Sequence, residues 1–152
     1  MDPSPDAELY RKHAGELMRF ATALAGPSMA EDVLAAGVIS ALASPGWAAV
    51  ENRRAYLFRC VASEAMRTAR SAQRRLRRER RLAPREAMED QVLDRDVLTA
   101  MLALSTRQRG VLYLTYWHGL TAVEVAESVG CSERTVEREL ERSRLILERT
   151  LS

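Results

Sequence analysis

The chain has 152 residues, a net charge of +2 and an apolar content of 47%, with aromatic residues at only 5%. That length allows one compact domain or two small ones, and the abundance of Ala, Leu and Val favours helices over sheets. The longest apolar run, Val33 to Ala43, is too short for a membrane span, and the acidic, Pro-rich start Met1-Asp2-Pro3-Ser4-Pro5 is no signal peptide, so a soluble cytoplasmic protein is expected.

A first helix is predicted with Asp6 as its cap, running through Leu9, Leu17, Phe20 and Leu24 and stopping at Gly26-Pro27-Ser28. A second starts near Met29, carries Val33, Leu34, Val38, Ile39 and Leu42, and ends at Ser44-Pro45-Gly46. The loop Gly46 to Asn52 holds Trp47. A third helix begins near Arg53 and passes Tyr56, Leu57, Cys60, Val61 and Met66 into an arginine-rich stretch. Its apolar face fades after Ala69, and Pro84 breaks any continuation, so a linker is expected around Arg80 to Gln91.

The second half is more sharply punctuated. A helix is predicted over Leu93 to Leu104. Ser105 with Gln108, and Thr121 with Glu124, both match the capping box, in which side chain and backbone of the first and fourth residues cap each other. The helix opened by Ser105 stops at Gly119, and the one opened by Thr121 stops at Gly130, a suitable left-handed residue. Ser132 then caps a last helix through Val136, Leu140, Leu147 and Leu151.

Charge is unevenly placed. Between Arg67 and Arg85 nine arginines face one acid, Glu79, and Lys12 is the only lysine. Such a stretch suits a polyanionic partner, or simply a solvated helix. Cys60, Cys131, His13 and His118 are scattered, with neither zinc-ligand spacing nor a nucleophile–base pattern. No catalytic residue, metal or cofactor is expected.

Leu120 to Leu140 carries the functional signal. Small Ala126 allows two helices to approach, Gly130 makes the turn, and Val136 locks the second helix onto the first. This is the helix-turn-helix arrangement; a plain helical hairpin is the simpler alternative. In such a unit the second helix enters the major groove, and its outward positions are Ser132, Glu133, Arg134, Thr135, Arg138 and Arg142. Arg134 and Arg138 suit guanine edges or phosphates, and Glu133 a cytosine amino group. From Gln91 onward, however, nine acids offset eight arginines, so this module alone should hold DNA weakly.

The run Leu104-Ser105-Thr106-Arg107-Gln108-Arg109, with Tyr116, Gly119-Leu120-Thr121, Val125-Ala126, Gly130-Cys131-Ser132 and Thr135-Val136, resembles the C-terminal domain of bacterial extracytoplasmic-function sigma factors. In that family it reads the −35 promoter element. Leu9-Tyr10, His13, Glu31-Asp32-Val33 and Arg54-Ala55-Tyr56-Leu57-Phe58-Arg59 resemble the family's other domain. Two departures stand out. Ala35 and Ala36 replace a Gln and an acid that often help bind the polymerase clamp, and Ala62, Ser63 and Arg67 replace a common Arg-Asn and a later Asp. They bear on the strength of polymerase binding and on the −10 read.

The resemblance implies an all-α protein of two small helical domains joined by a flexible linker: residues 7–81 for core polymerase and the −10 element, linker 82–92, and 93–152 for the −35 element. Its partners would be the clamp helices and flap of core RNA polymerase, promoter DNA and a candidate anti-sigma factor, with no membrane role and a monomer in isolation. Glu31, Asp32, Ala35 and Ala36 would face the clamp. Trp47, Asn52 and Arg53 would form a pocket for an extruded base, although Trp47 equally suits capping the small core. Arg59, Arg67 and Arg70 would bind phosphate, and Arg74, Arg75, Arg77 and Arg78 either do the same or solvate a linker. The apolar face of Val33 to Leu42 would suit an inhibitor. Three rivals stand beside this reading: a stand-alone dimeric helix-turn-helix regulator using Leu140, Leu147 and Leu151, a helical adaptor without a DNA role, and, least supported, an enzyme.

Overall fold

The computed structural model describes residues 4–80 and 100–151, and all the regular structure among them is helical. The expected linker, 82–92, lies outside the described residues, as does most of the helix expected over Leu93 to Leu104, of which 100–103 are described as helical.

Helix α1 spans Pro5–Ala25. Ser4, not Asp6, is its cap: the Ser4 hydroxyl accepts from the Ala7 amide at 3.1 Å, and Pro5, which has no N–H to satisfy, fills the first helical position. Asp6 is committed elsewhere, accepting from Trp47 Nε1 at 3.0 Å. Helix α2 (Ala30–Ala43) is followed by a single 3-10 turn, Trp47–Ala49, and then by α3 (Arg53–Arg80), which Asn52 caps by accepting from the Ala55 amide at 3.1 Å. Helix α3 runs unbroken into the arginine stretch, and residues 71–79 are exposed all round it.

Helix α4 (Thr106–Leu112) passes into a π-helical turn, Tyr113–Trp117, then come α5 (Ala122–Val129) and α6 (Glu133–Leu151). Both capping boxes form in full. Each is worth about 1 kcal/mol to its helix, which matters for helices of this length because isolated short helices are marginal.

Leu17, Phe20 and Leu24 of α1, Val33 and Leu34 of α2, and Leu57, Phe58 and Val61 of α3 are buried together. Phe20 and Phe58 meet edge to face with centroids 5.0 Å apart. Helices α2 and α3 touch at Gly37, where an added Cβ would lie 2.8 Å from the Cα of Val61, so no larger residue fits. The buried residues of the second half, Val111, Leu114, Val125, Ala126, Val129 and Val136, belong to the same continuous cluster. The two halves therefore share one core. Burying a side chain of the size of Leu or Phe stabilises by about 1.5–3 kcal/mol, so this shared seam is a substantial part of the fold energy.

Candidate nucleic-acid interface

The helix-turn-helix is built from α5, the turn at Gly130-Cys131 and α6. Gly130 adopts φ 83° and ψ 43°, the left-handed region, and its amide donates to the Ala126 carbonyl at 2.9 Å. The Cys131 amide reaches the same carbonyl at 3.0 Å, which closes the end of α5. Val125, Val129 and Val136 are buried between the two helices, and Ala126 is 8% exposed. Ser132 caps α6 by accepting from the Thr135 amide at 3.1 Å, and its hydroxyl also lies 2.9 Å from that of Thr135.

This packing turns one face of α6 outward. Ser132, Glu133, Arg134, Arg138 and Arg142 are exposed and Thr135 is half-buried. Neither Arg134 nor Arg138 has a hydrogen-bond or ion-pair partner among the described residues, so both cations are available to an external anion. Arg142 lies 3.7 Å from the buried carboxylate of Glu139. Farther along, Arg144 is held by Glu141 and Glu148 and is not available in the same way. Only the first turns of α6 thus present unpaired positive charge, which is the part of a recognition helix that meets bases.

The residues expected at a −10 element are placed differently from one another. Trp47 is 7% exposed, bonded to Asp6, 6.0 Å from the Tyr56 ring centroid and covered by the Arg53 guanidinium at 4.9 Å. It caps the core and offers no free face for a base. Arg53 is tied down by the same contact and lies 3.7 Å from Asp6. Asn52 is exposed; its side-chain nitrogen donates to Glu127 of α5 at 3.4 Å. Arg59 is exposed but packs against the helix-turn-helix turn: a Cβ on Gly130 would lie 2.8 Å from its Nε. Arg67 pairs with Glu64 at 2.9 Å. Arg70 is exposed with no partner among the described residues.

On α2, Glu31, Asp32 and Ala35 are exposed and Ala36 is half-buried, so this short acidic strip is open to a partner. The apolar face expected for an inhibitor is smaller than the sequence suggests. Val33, Leu34 and Ala41 are buried in the protein's own core, leaving Ile39 and Leu42 outside. The second half carries a larger apolar surface, a groove of about 520 Å³ in which Tyr116 and Trp117 are 76% and 74% exposed.

Several participants have no local sequence signal. Arg109 donates to the Leu104 carbonyl at 2.8 Å and, across the two halves, to the Leu24 carbonyl at 2.9 Å. His118 sits against Phe58 and Tyr113, its ring 6.1 Å and 5.3 Å from theirs, and burial pushes its pKa below the usual range. No group of three or more potential metal ligands occurs among the described residues, and no helix among them is long and apolar enough to cross a membrane.

An all-helical protein ending in a capped helix-turn-helix with two unpaired arginines on its second helix falls in the class of DNA-binding proteins. Residues 94–147 match the family model described as Sigma-70, region 4, so the C-terminal part of the chain is similar to that family. The structure is similar to that of the sigma factor RpoE from Bartonella quintana, solved in complex with the anti-sigma factor NepR, with a TM-score of 0.69, 23% identity, and 95% of this chain and 94% of that one covered. The chain thus shares the fold of that protein over nearly its whole length. No curated protein matches it at the level of sequence.

Proposed function

We propose that this protein is a sigma factor: it binds core RNA polymerase, directs it to promoters and enables initiation, while the polymerase performs all the chemistry. The observation that carries this reading is the region 4 helix-turn-helix, with Arg134 and Arg138 exposed and unpaired, set within a sigma-factor fold that spans the chain. Ser132, Glu133, Arg134, Thr135, Arg138 and Arg142 read the −35 element. Glu31 and Asp32, with Ala35 and Ala36 beside them, meet the polymerase clamp. Asn52, Arg59, Arg67 and Arg70 serve the −10 region, with Arg53 and Trp47 supporting them from within the fold rather than stacking on a base. The protein works in the cytoplasm, needs no cofactor, and is a monomer until it joins polymerase. The relative with this fold is bound by an anti-sigma factor, and an inhibitor of that kind is a partner of this chain too.

The test is reconstitution. The purified chain is mixed with bacterial core polymerase and run on size-exclusion chromatography. Co-elution at one chain per core, followed by transcription from a selected promoter, is the expected result. A chain that stays apart from core yet binds an operator as a dimer sinks this reading in favour of a stand-alone regulator.

A further inference from the structure

A second basic feature adjoins the recognition face and shares Arg142 with it. A cleft of about 490 Å³ opens between α3, the start of α4 and α6. Arg70, Arg107 and Arg142 line it, one from each helix, together with the buried carboxylate of Glu139. Three guanidinium groups against one carboxylate leave an excess of two positive charges. Glu139 offsets only Arg142, at 3.7 Å. Arg70 and Arg107 have no hydrogen-bond or ion-pair partner among the described residues, and the Nε of Arg107 is sealed from solvent with nothing to donate to. A buried donor left without an acceptor is costly, and so is the mutual repulsion of cations converging on one space. The capping box beside the cleft is already closed, since Ser105 and Gln108 satisfy each other's amides. The unused donors are therefore guanidinium groups, whose planar forks suit the oxygens of a phosphate.

We propose that this cleft binds a small phosphate ester of nucleotide size. The volume falls in the range of small-molecule sites, roughly 300–1,000 Å³. At least two anionic oxygens are needed to balance the excess charge, which any phosphate ester from mono- to triphosphate supplies. Met66 and Ala69 form an apolar wall, which suits the uncharged part of an ester and gives nothing to a bare inorganic ion. Because the three arginines come from both halves of the chain, a bound ester ties the halves together. The inference does not rest on the sigma-factor reading: a chain that ignored core polymerase would still bind the ester.

The experiment is calorimetric titration of the full chain with GTP, pyrophosphate and sulfate, without magnesium and at fixed ionic strength. Saturable GTP binding is expected, with pyrophosphate weaker and sulfate weaker by about tenfold or more. Arg70→Ala and Arg107→Ala should each weaken GTP binding by about tenfold, whereas the Arg74→Ala/Arg78→Ala pair, outside the cleft, should leave it unchanged. Circular dichroism checks that each variant is folded, and Arg70→Ala guards the test because that side chain is exposed. No saturable binding at millimolar ligand overturns the proposal. So does equal loss in the Arg74→Ala/Arg78→Ala pair, which would mean diffuse adsorption to α3. Binding of duplex DNA alone through Arg70 and Arg107 would overturn it in favour of a DNA-backbone contact, and GTP no tighter than pyrophosphate would remove the ester.

Discussion

Arg109 reaches across the molecule and donates from Nη2 to the backbone carbonyl of Leu24 at 2.9 Å, joining the start of the second half to the end of α1. The same guanidinium donates from Nη1 to the Leu104 carbonyl at 2.8 Å. One planar fork thereby satisfies two carbonyls that no helix serves. Arg109→Ala should destabilise the folded chain by about 2–4 kcal/mol, from two lost charge-assisted bonds and two stranded acceptors. Arg109→Lys should recover little, since one ammonium lacks the fork. Urea denaturation measures both; a loss below 0.5 kcal/mol in the alanine variant, within the range of neutral surface changes, would refute the joint's importance.

Gly37→Ala tests the contact between α2 and α3. The new methyl would lie 2.8 Å from the Cα and 2.9 Å from the amide nitrogen of Val61. Backbone atoms cannot swing aside, so the helices must part, at about 1–3 kcal/mol. The readout is the thermal midpoint, which should fall. Val61→Ala in the same chain should not restore it, because the obstruction includes backbone.

Acid should loosen the protein in two stages. Burial lowers the His118 pKa from its ordinary 6.5, assisted by Arg54 and Arg19 and opposed by Glu16. The folded chain then binds this proton less readily than the unfolded one. His118 leaves stability undiminished above about pH 6.5 and reduces it as pH falls below that value. Glu16 follows at lower pH. Hydrogen bonding to Arg54 holds its pKa below the ordinary 4.5, so its contribution is complete above that value and is lost as pH falls through the folded one. Stability measured from pH 8 to pH 3 should stay level down to about pH 6.5 and decline below it, with a second loss below about pH 4.5, and His118→Phe should flatten only the upper stage.

Arg134 and Arg138 should matter to promoter binding and not to folding. Each substitution by alanine should weaken holoenzyme binding by about 1–3 kcal/mol if it reads a base, and should relax preference at one position. A uniform loss across sequences, with a salt slope shallower by about 1, would reassign that arginine to phosphate. Thermal midpoints should stay at the wild-type value because both side chains are exposed.

What could be read from the sequence was local. The two capping boxes, the turn at Gly130 and the outward face of α6 each depend on residues within a few positions of one another, where spacing fixes geometry. Asp6 was out of reach for the opposite reason: its choice between capping α1 and holding Trp47 is made by a residue 41 positions away. Trp47 itself suits two roles on paper, and only the Asp6 and Arg53 contacts assign it to the core. The π-helical turn at Tyr113–Trp117 leaves no mark in the pattern of apolar residues. The docking of the halves was equally silent, because an arginine that binds a carbonyl 85 positions away looks like any surface arginine.

The contact of Gly130 with Arg59 sets a ruler against the promoter. Elements named for positions −10 and −35 lie about 25 base pairs apart, or about 85 Å of B-form DNA at 3.4 Å a step. Under the sigma-factor reading proposed above, the turn of the −35 module rests here on an arginine of the −10 module. A chain folded this way cannot span that length of duplex, so on that reading engaging both elements would mean breaking the seam and leaving its apolar sides to be covered by polymerase. Naked DNA must then pay for the opening, and its apparent affinity is divided by the fraction of chains already extended. On the proposed reading, promoter choice by this protein would thereby be conditional on polymerase.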